Sequence, residues 1–231
     1  MKEPLEFLFE KYGANPDDVK ELICGSRYFA LMLNDGRIGV CATLDQPYFV
    51  EPKVLANPDF KNISHRIVLN AYFNAIINIP DKKYKKGDIF QAIDFKKYSN
   101  IVMIGLFRPL VKKFVNANIK LSVFDKIEKE TPVLPSKLQA EYVAKSDALI
   151  LTATTFFNGT FSEIVEKTNN CDIFVLGPSA FLSDEIFNYK NIKAVFGSVF
   201  KENDTEVLKI IKEGYGTRVF SVRADKVFIS K

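Results

Sequence analysis

From about Tyr98 the chain repeats one pattern five times: a short apolar, β-rich run followed by a longer amphipathic or polar segment. The runs are NIVMIGL (100–106), IKLSVFD (119–125), DALILTAT (147–154), DIFVLGPS (172–179) and IKAVFGSV (192–199). Apolar runs of this length fit strands buried on both faces. Intervening segments compatible with helices make the crossovers right-handed and the sheet mainly parallel. Few architectures accept this grammar, so the second half is expected to be a Rossmann-like α/β domain. Its last piece, RVFSVRADKVFIS (218–230), is expected to close the sheet as a hairpin turning at Ala224-Asp225.

The first half reads differently. EPLEFLFEKY (3–12) places apolar side chains at helical spacing and stops at Gly13, with a further helical turn or two expected after Pro16. RYFALML and IGVCATL flank Asn34-Asp35-Gly36-Arg37, whose Asp-Gly pair suits a tight hairpin. After a loop spaced by Pro47, Pro52 and Pro58, a helix is expected from about Ile63 to Asn78, with Ser64 as an alternative cap. Asn70, Asn74 and Asn78 recur every fourth residue and stack on one side of it. Asparagine is a poor helix-interior residue. Asn78 reads as an exposed polar face, while Asn70, between Leu69 and Ala71, fits equally a buried hydrogen-bonded role. A hairpin plus helices without βαβ alternation implies a small α+β unit over 1–88, leaving 89–231 for the parallel sheet. The basic run DKKYKKGD (81–88) reads as a solvated linker, with Asp88 capping the short helix IFQAIDF.

Composition narrows the function classes. A chain that is 47% apolar and 26% charged is an ordinary globular one. Its 32 basic and 28 acidic residues are spread along the chain, so no nucleic-acid arm is implied. No apolar run reaches the roughly 18 to 20 residues of a membrane span. Cys24, Cys41 and Cys171 stand far apart and no secretory leader is read, which suggests a reducing cytoplasm. The lone histidine, His65, reads as a surface or capping residue, and a structural zinc site lacks ligands. An exposed apolar surface is compatible with a homodimer.

In an open parallel sheet, ligands collect beyond the carboxyl ends of the strands. The first strand ends at Gly105, ahead of Pro109 at a helix start, without the GxGxxG fingerprint. The second ends at Asp125, where an acidic side chain takes a ribose hydroxyl in the dinucleotide pattern. The third delivers Thr152, Thr154 and Thr155, then Asn158-Gly159-Thr160 at the mouth of a helix running to about Lys167. Either Asn158 caps that helix or Thr160 and Glu163 form a capping box, and Gly159 lets a ligand approach the backbone. Gly177-Pro178-Ser179 ends the fourth strand as a second small-residue platform. No histidine is placed to activate Ser179, and no carboxylate pair is spaced for acid and base roles.

On VMIGLFRPLV (102–111), LTATTFFNGT (151–160), VLGPSAFL (175–182), EGYGT (213–217) and LNAYFNA (69–75), the chain resembles the putative heavy-metal chelation family of prokaryotic proteins. The resemblance implies an enolase N-terminal-like domain followed by a Rossmann-like one. It implies a ligand site at their seam, with Asn70 facing Thr154, Thr155, Asn158, Gly159 and Gly177 to Ser179, and with Gly214 and Gly216 in a nearby turn. FDKIEKETPVLPS stands where the family is more acidic, which weakens Asp125 as an acidic ligand. The expected function is binding of a small ligand in the interdomain crevice, either a metal ion or a metal-chelating metabolite. Two rivals remain: a metabolite-modifying enzyme with a nucleotide-type cofactor, of the NAD(P) or S-adenosylmethionine class, and a non-catalytic scaffold subunit.

Overall fold

The structure, a computed structural model, describes residues 1–45, 50–80, 82–127 and 129–231; Pro47 and Asp81 lie outside them. Helix α1 (Pro4–Tyr12) ends where the Gly13 amide donates to the Phe9 carbonyl. Behind Pro16 stands only one 3-10 turn, over 16–18. VKELIC, part of what the sequence suggested as helical, is instead strand β1 (Val19–Cys24), held by pairing with β2 (Tyr28–Leu33). The Asp-Gly hairpin leads from β2 to β3 (Ile38–Ala42), giving an antiparallel sheet in the order β1-β2-β3. Helix α2 (Ile63–Ile77) is capped by Asn62, whose side chain accepts from the Ser64 amide, so Ser64 is not the cap. His65 accepts a hydrogen bond from the Asp59 amide through Nδ1.

The basic run departs from a solvated linker: Lys85–Lys86 form β4, an edge strand paired antiparallel at the end of the second sheet. Exposed lysines suit an edge because they discourage further pairing. Asp88 caps α3 (Ile89–Ala92) as expected. There follow β5 (Ile101–Ile104), α4 (Arg108–Asn116), β6 (Ser122–Phe124), α5 (Gln139–Lys145), β7 (Ala148–Thr152), α6 (Thr155–Asn158), α7 (Phe161–Glu166), β8 (Asp172–Leu176), β9 (Ile192–Phe200), α8 (Thr205–Lys212), α9 (Thr217–Phe220) and β10 (Ala224–Ser230). The second sheet runs β4-β10-β9-β8-β7-β5-β6, with β6, β5, β7, β8 and β9 parallel. The expected closing hairpin is absent: RVF is helical in α9, and β10 pairs antiparallel with β9 along its whole length.

Period-2 alternation divides the sheet between two cores. Met103 and Ile150 face Phe95, Leu110 and Phe114, while Val102, Ile104, Leu149 and Leu151 face the core shared with α2. A third cluster sets Val207, Leu208, Ile211 and Phe220, from α8 and α9, against Ala30, Met32 and Val40 of the small sheet. The packing therefore crosses the 88/89 boundary more than once.

The seam is polar. Asn70, Asn74 and Asn78 are all buried, so Asn78 is not the exposed residue its spacing suggested. The Asn70 amide donates to the Ser179 carbonyl at 3.1 Å. Asn74 donates to Pro178 and Ala180 carbonyls at 3.0 and 2.9 Å and accepts from the Val40 amide at 3.2 Å. Asn78 donates to Ala180 and Ser198 carbonyls and accepts from the Leu182 amide. Ser179 Oγ accepts from the Ala42 amide at 3.0 Å. The chain between β8 and β9 needs no α-helix here; it holds only a 3-10 turn at 184–188, and α2 covers it. Gly39 permits the approach of α2 to β3, since a Cβ there would stand 1.9 Å from the Ala71 carbonyl oxygen.

Asn74→Leu leaves the Val40 amide and the Pro178 carbonyl without partners and takes from the Ala180 carbonyl one of its two donors, at about 1 kcal/mol for each hydrogen bond lost. A loss of about 3 kcal/mol is expected, seen as a melting temperature lowered by roughly 6 to 12 °C. Gly39→Ala should destabilise at least as much, because backbone atoms block the methyl group. Unchanged melting in Asn74→Leu would show that the seam bonds add no net stability.

Candidate functional site

The parallel strands order as β6-β5-β7-β8-β9, so connections leave β5 in one direction and β7 in the other. Such a switch point opens a crevice beyond the carboxyl ends of the strands. A cleft of about 690 Å³ lies there, within the range of small-molecule sites. Its walls come from Gly105, Leu106 and Phe107 after β5, Asp125 to Ile127 after β6, and Thr152, Thr154 and Thr155 at β7. Asn158, Thr160, Glu163, Ile164 and Lys167 contribute from the α6 and α7 region, and Gln139, Ala140 and Val143 from α5. Leu44 and Asp45, just after β3, bring the small sheet to its rim.

The threonines divide their work. Thr155 is buried and turns its hydroxyl back to the Thr152 carbonyl at 2.8 Å. The Thr152 and Thr154 hydroxyls bond each other at 3.2 Å and remain part-exposed. Asn158 Oδ1 accepts from both the amide and the hydroxyl of Thr160. Thr160 itself makes no side-chain cap, so the capping box does not form. The Ser162 amide is taken by Glu3 Oε1, from the start of the chain, at 3.1 Å. Burial raises the Glu3 carboxyl above its ordinary pKa, opposed by the hydrogen bonds from Ser162.

Asp125 does something its strand-end position did not disclose. One carboxylate oxygen accepts from the Leu106 amide at 2.6 Å and the other from the Ile127 amide at 3.1 Å, so it clamps the β5 and β6 loops together. Gly105 is required by two constraints at once: its φ is +96°, and a Cβ would lie 2.7 Å from Thr152 Cβ.

Seven residues singled out at the strand ends line this cleft: Gly105, Asp125, Thr152, Thr154, Thr155, Asn158 and Thr160. Gly159 lies between two lining residues, with Arg66 Nη1 3.0 Å from where its Cβ would be. The others stand elsewhere. Asn70, Pro178 and Ser179 belong to the seam, and Gly177 packs near Ala153. Gly214 and Gly216 adjoin Ser26 and Arg27 beside the small sheet. The lining residues Asp45, Lys126, Ser136 and Gln139 carry no periodicity or motif, so no sequence signal pointed to them.

A soft metal ion asks for convergent thiolates or imidazoles. Among the described residues no group of three His, Cys, Asp or Glu side chains is arranged to hold a metal. Burial pushes the Cys41 thiol well above its ordinary pKa, opposed by Ser179 and Asn70. Burial likewise pushes Cys171 up to about 11, against the hydrogen bond from Ser146. Only Cys24 is exposed, and it too is raised by burial.

The DUF364 family, described as putative heavy-metal chelation, matches over residues 88–230. A DUF364 protein of unknown function from Pyrococcus horikoshii is similar in structure with a TM-score of 0.80 at 21% identity, over 92% of this chain and 93% of that one. A second, from Desulfitobacterium hafniense DCB-2, gives a TM-score of 0.78 at 18% identity, over 98% and 100%. No curated protein matches. At these identities the likeness establishes the two-sheet α/β fold.

Ellman's reagent at pH 8 should find one fast thiol, Cys24, in the native chain and all three in denaturant; rapid reaction of Cys171 would contradict its burial. Asp125→Ala should speed hydrogen exchange at Leu106 and Ile127, and unchanged exchange at both would remove the clamp.

Proposed function

The chain belongs to the DUF364 family, described as putative heavy-metal chelation, and on that premise we propose that the switch-point cleft binds a small organic ligand that carries its own metal-chelating donors. The observation that carries the reading is the cleft's two-sided lining. Thr152, Thr154, Asn158, Lys126 and Gln139 offer hydroxyl, amide and ammonium groups, while Leu106, Phe107, Ile127, Val143 and Ile164 offer apolar wall. A lining that is part polar and part apolar suits an organic molecule better than a bare ion. The donor set does not fit a resident soft metal, so a metal enters this reading as cargo, coordinated by the ligand's own oxygen or nitrogen atoms. The protein's part is to recognise the outer shell of the complex through neutral hydrogen bonds and apolar contact.

A nucleotide-type cofactor of the NAD(P) or S-adenosylmethionine class is the second reading, favoured by the position of the cleft at the switch point of a parallel sheet. Against it, Asp125 spends both oxygens on main-chain amides.

Titration calorimetry with Ni(II) ion, Ni(II)–citrate, NADH and S-adenosylmethionine separates these readings. The chelate is expected to bind one per chain and the bare ion not at all. Thr154→Val should weaken the chelate by up to about tenfold, the worth of one hydrogen bond. Equal affinity for the bare ion, unaffected by Thr154→Val, would remove the cleft as the binding site; binding of NADH or S-adenosylmethionine alone would establish the second reading.

A further inference from the structure

Arg66 stands in the first turns of α2, half-buried, against the turn between α6 and α7 at the edge of the cleft lining. Its guanidinium covers Gly159: Nη1 lies 3.0 Å and Cζ 3.8 Å from the position a Cβ would take there. The residues on either side of that glycine, Asn158 and Thr160, both line the cleft. Asn158 offers the guanidinium no acceptor, because its Oδ1 already receives the amide and hydroxyl of Thr160.

One donor of the arginine is unsatisfied. Its Nε is buried without a hydrogen-bond partner, and among the described residues it forms no ion pair. A buried guanidinium donor without an acceptor is costly, and such groups in native proteins mark a missing water, ion or ligand. Around the cleft Glu163 is paired with Lys167. Among the described residues Lys126 and Arg66 stand against Asp45 and Asp125, so the charges balance and the fork of Arg66 has no carboxylate of its own.

We propose that Arg66 is an anion-binding residue of this protein, its planar fork receiving a carboxylate or phosphate group of the molecule held in the cleft. Arginine suits this because its N–H groups match either oxyanion in a bidentate pair. Gly159 then has a function distinct from turn geometry: it leaves the space in which the fork lies. The inference rests on the cleft reading above and adds to it that the ligand is an oxyanion.

The test uses the full chain, with citrate as the carboxylate probe and inorganic phosphate as the other, at two salt concentrations. The wild-type chain is expected to bind one or both, which also identifies the anion class, and to bind less tightly in high salt. Arg66→Met should cut that affinity by about tenfold or more, with Arg66→Lys intermediate. The ligand-free Arg66→Met protein should melt no lower than wild type, since an unpaired buried donor has been removed. Retained affinity in Arg66→Met, no binding of either anion by wild type, or a lowered melting temperature of the ligand-free variant would each overturn the proposal. Thr154→Val separates the two readings. Loss with Thr154→Val but not with Arg66→Met leaves the cleft and removes Arg66, and the reverse keeps Arg66 as an anion site while removing the cleft.

Discussion

The structure turns on three asparagines in one helix. Each seam asparagine carries a donor and an acceptor on one short amide, so a single side chain can serve a carbonyl on one element and an N–H on another. Asn74 does this between β3 and the chain after β8, and Asn78 within the stretch that leads to β9. Without them, the outer edge of β3 and the buried loop after β8 would face each other with main-chain groups unpaired. Their poor helix propensity, a fraction of a kcal/mol per residue, is small beside the cost of those unpaired groups.

Several features of the fold follow from that seam. The loop from Gly177 to Ser183 turns at 177–180 and forms no helix; side chains meet its Pro178, Ser179 and Ala180 carbonyls, so β8 and β9 are joined without the α-helix usual in a parallel sheet. Helix α2 lies where that helix would be, and Gly39 lets it rest against β3. The opposite face of the small sheet is then covered by α8 and α9 from the other end of the chain. With β3 fixed in this way, its following residues Leu44 and Asp45 reach the cleft, whose other lining comes from strand ends of the parallel sheet and from the loops and helices that follow them.

The candidate site was partly legible in advance. Thr152, Thr154, Thr155 and the Asn158-Gly159-Thr160 turn stand out because hydroxyls at the end of an apolar run are wasted on a core, and five of these six, all but Gly159, line the cleft. Ser179 also looked like part of a ligand platform, but its Oγ is consumed by the Ala42 amide; a small polar residue after a strand serves a ligand or a domain seam equally well in sequence. Asp125 was visible and its bond to Leu106 was not, since Leu106 lies on a neighbouring loop. Arg66 gave no signal, because a basic residue near a helix start is ordinary until something across the gap is seen to lack a side chain.

Local physics therefore determined much of this protein by itself. Apolar run length and spacing prescribe a parallel sheet after residue 98, Asp35-Gly36 prescribes the first hairpin, and the stop at Gly13 bounds α1, because each depends on neighbours a few residues away. Tertiary structure alone decided whether the asparagines are buried, whether VKELIC is a strand, where RVF goes, and which strand-end residues share a cleft. Apart from VKELIC, whose partner strand β2 follows it directly, those outcomes depend on partners about 20 to more than 150 residues distant, such as Asn78 with Ser198 or Glu3 with Ser162. A polar side chain has the same local signature whether water or a distant backbone group receives its hydrogen bond, and only the folded chain distinguishes the two.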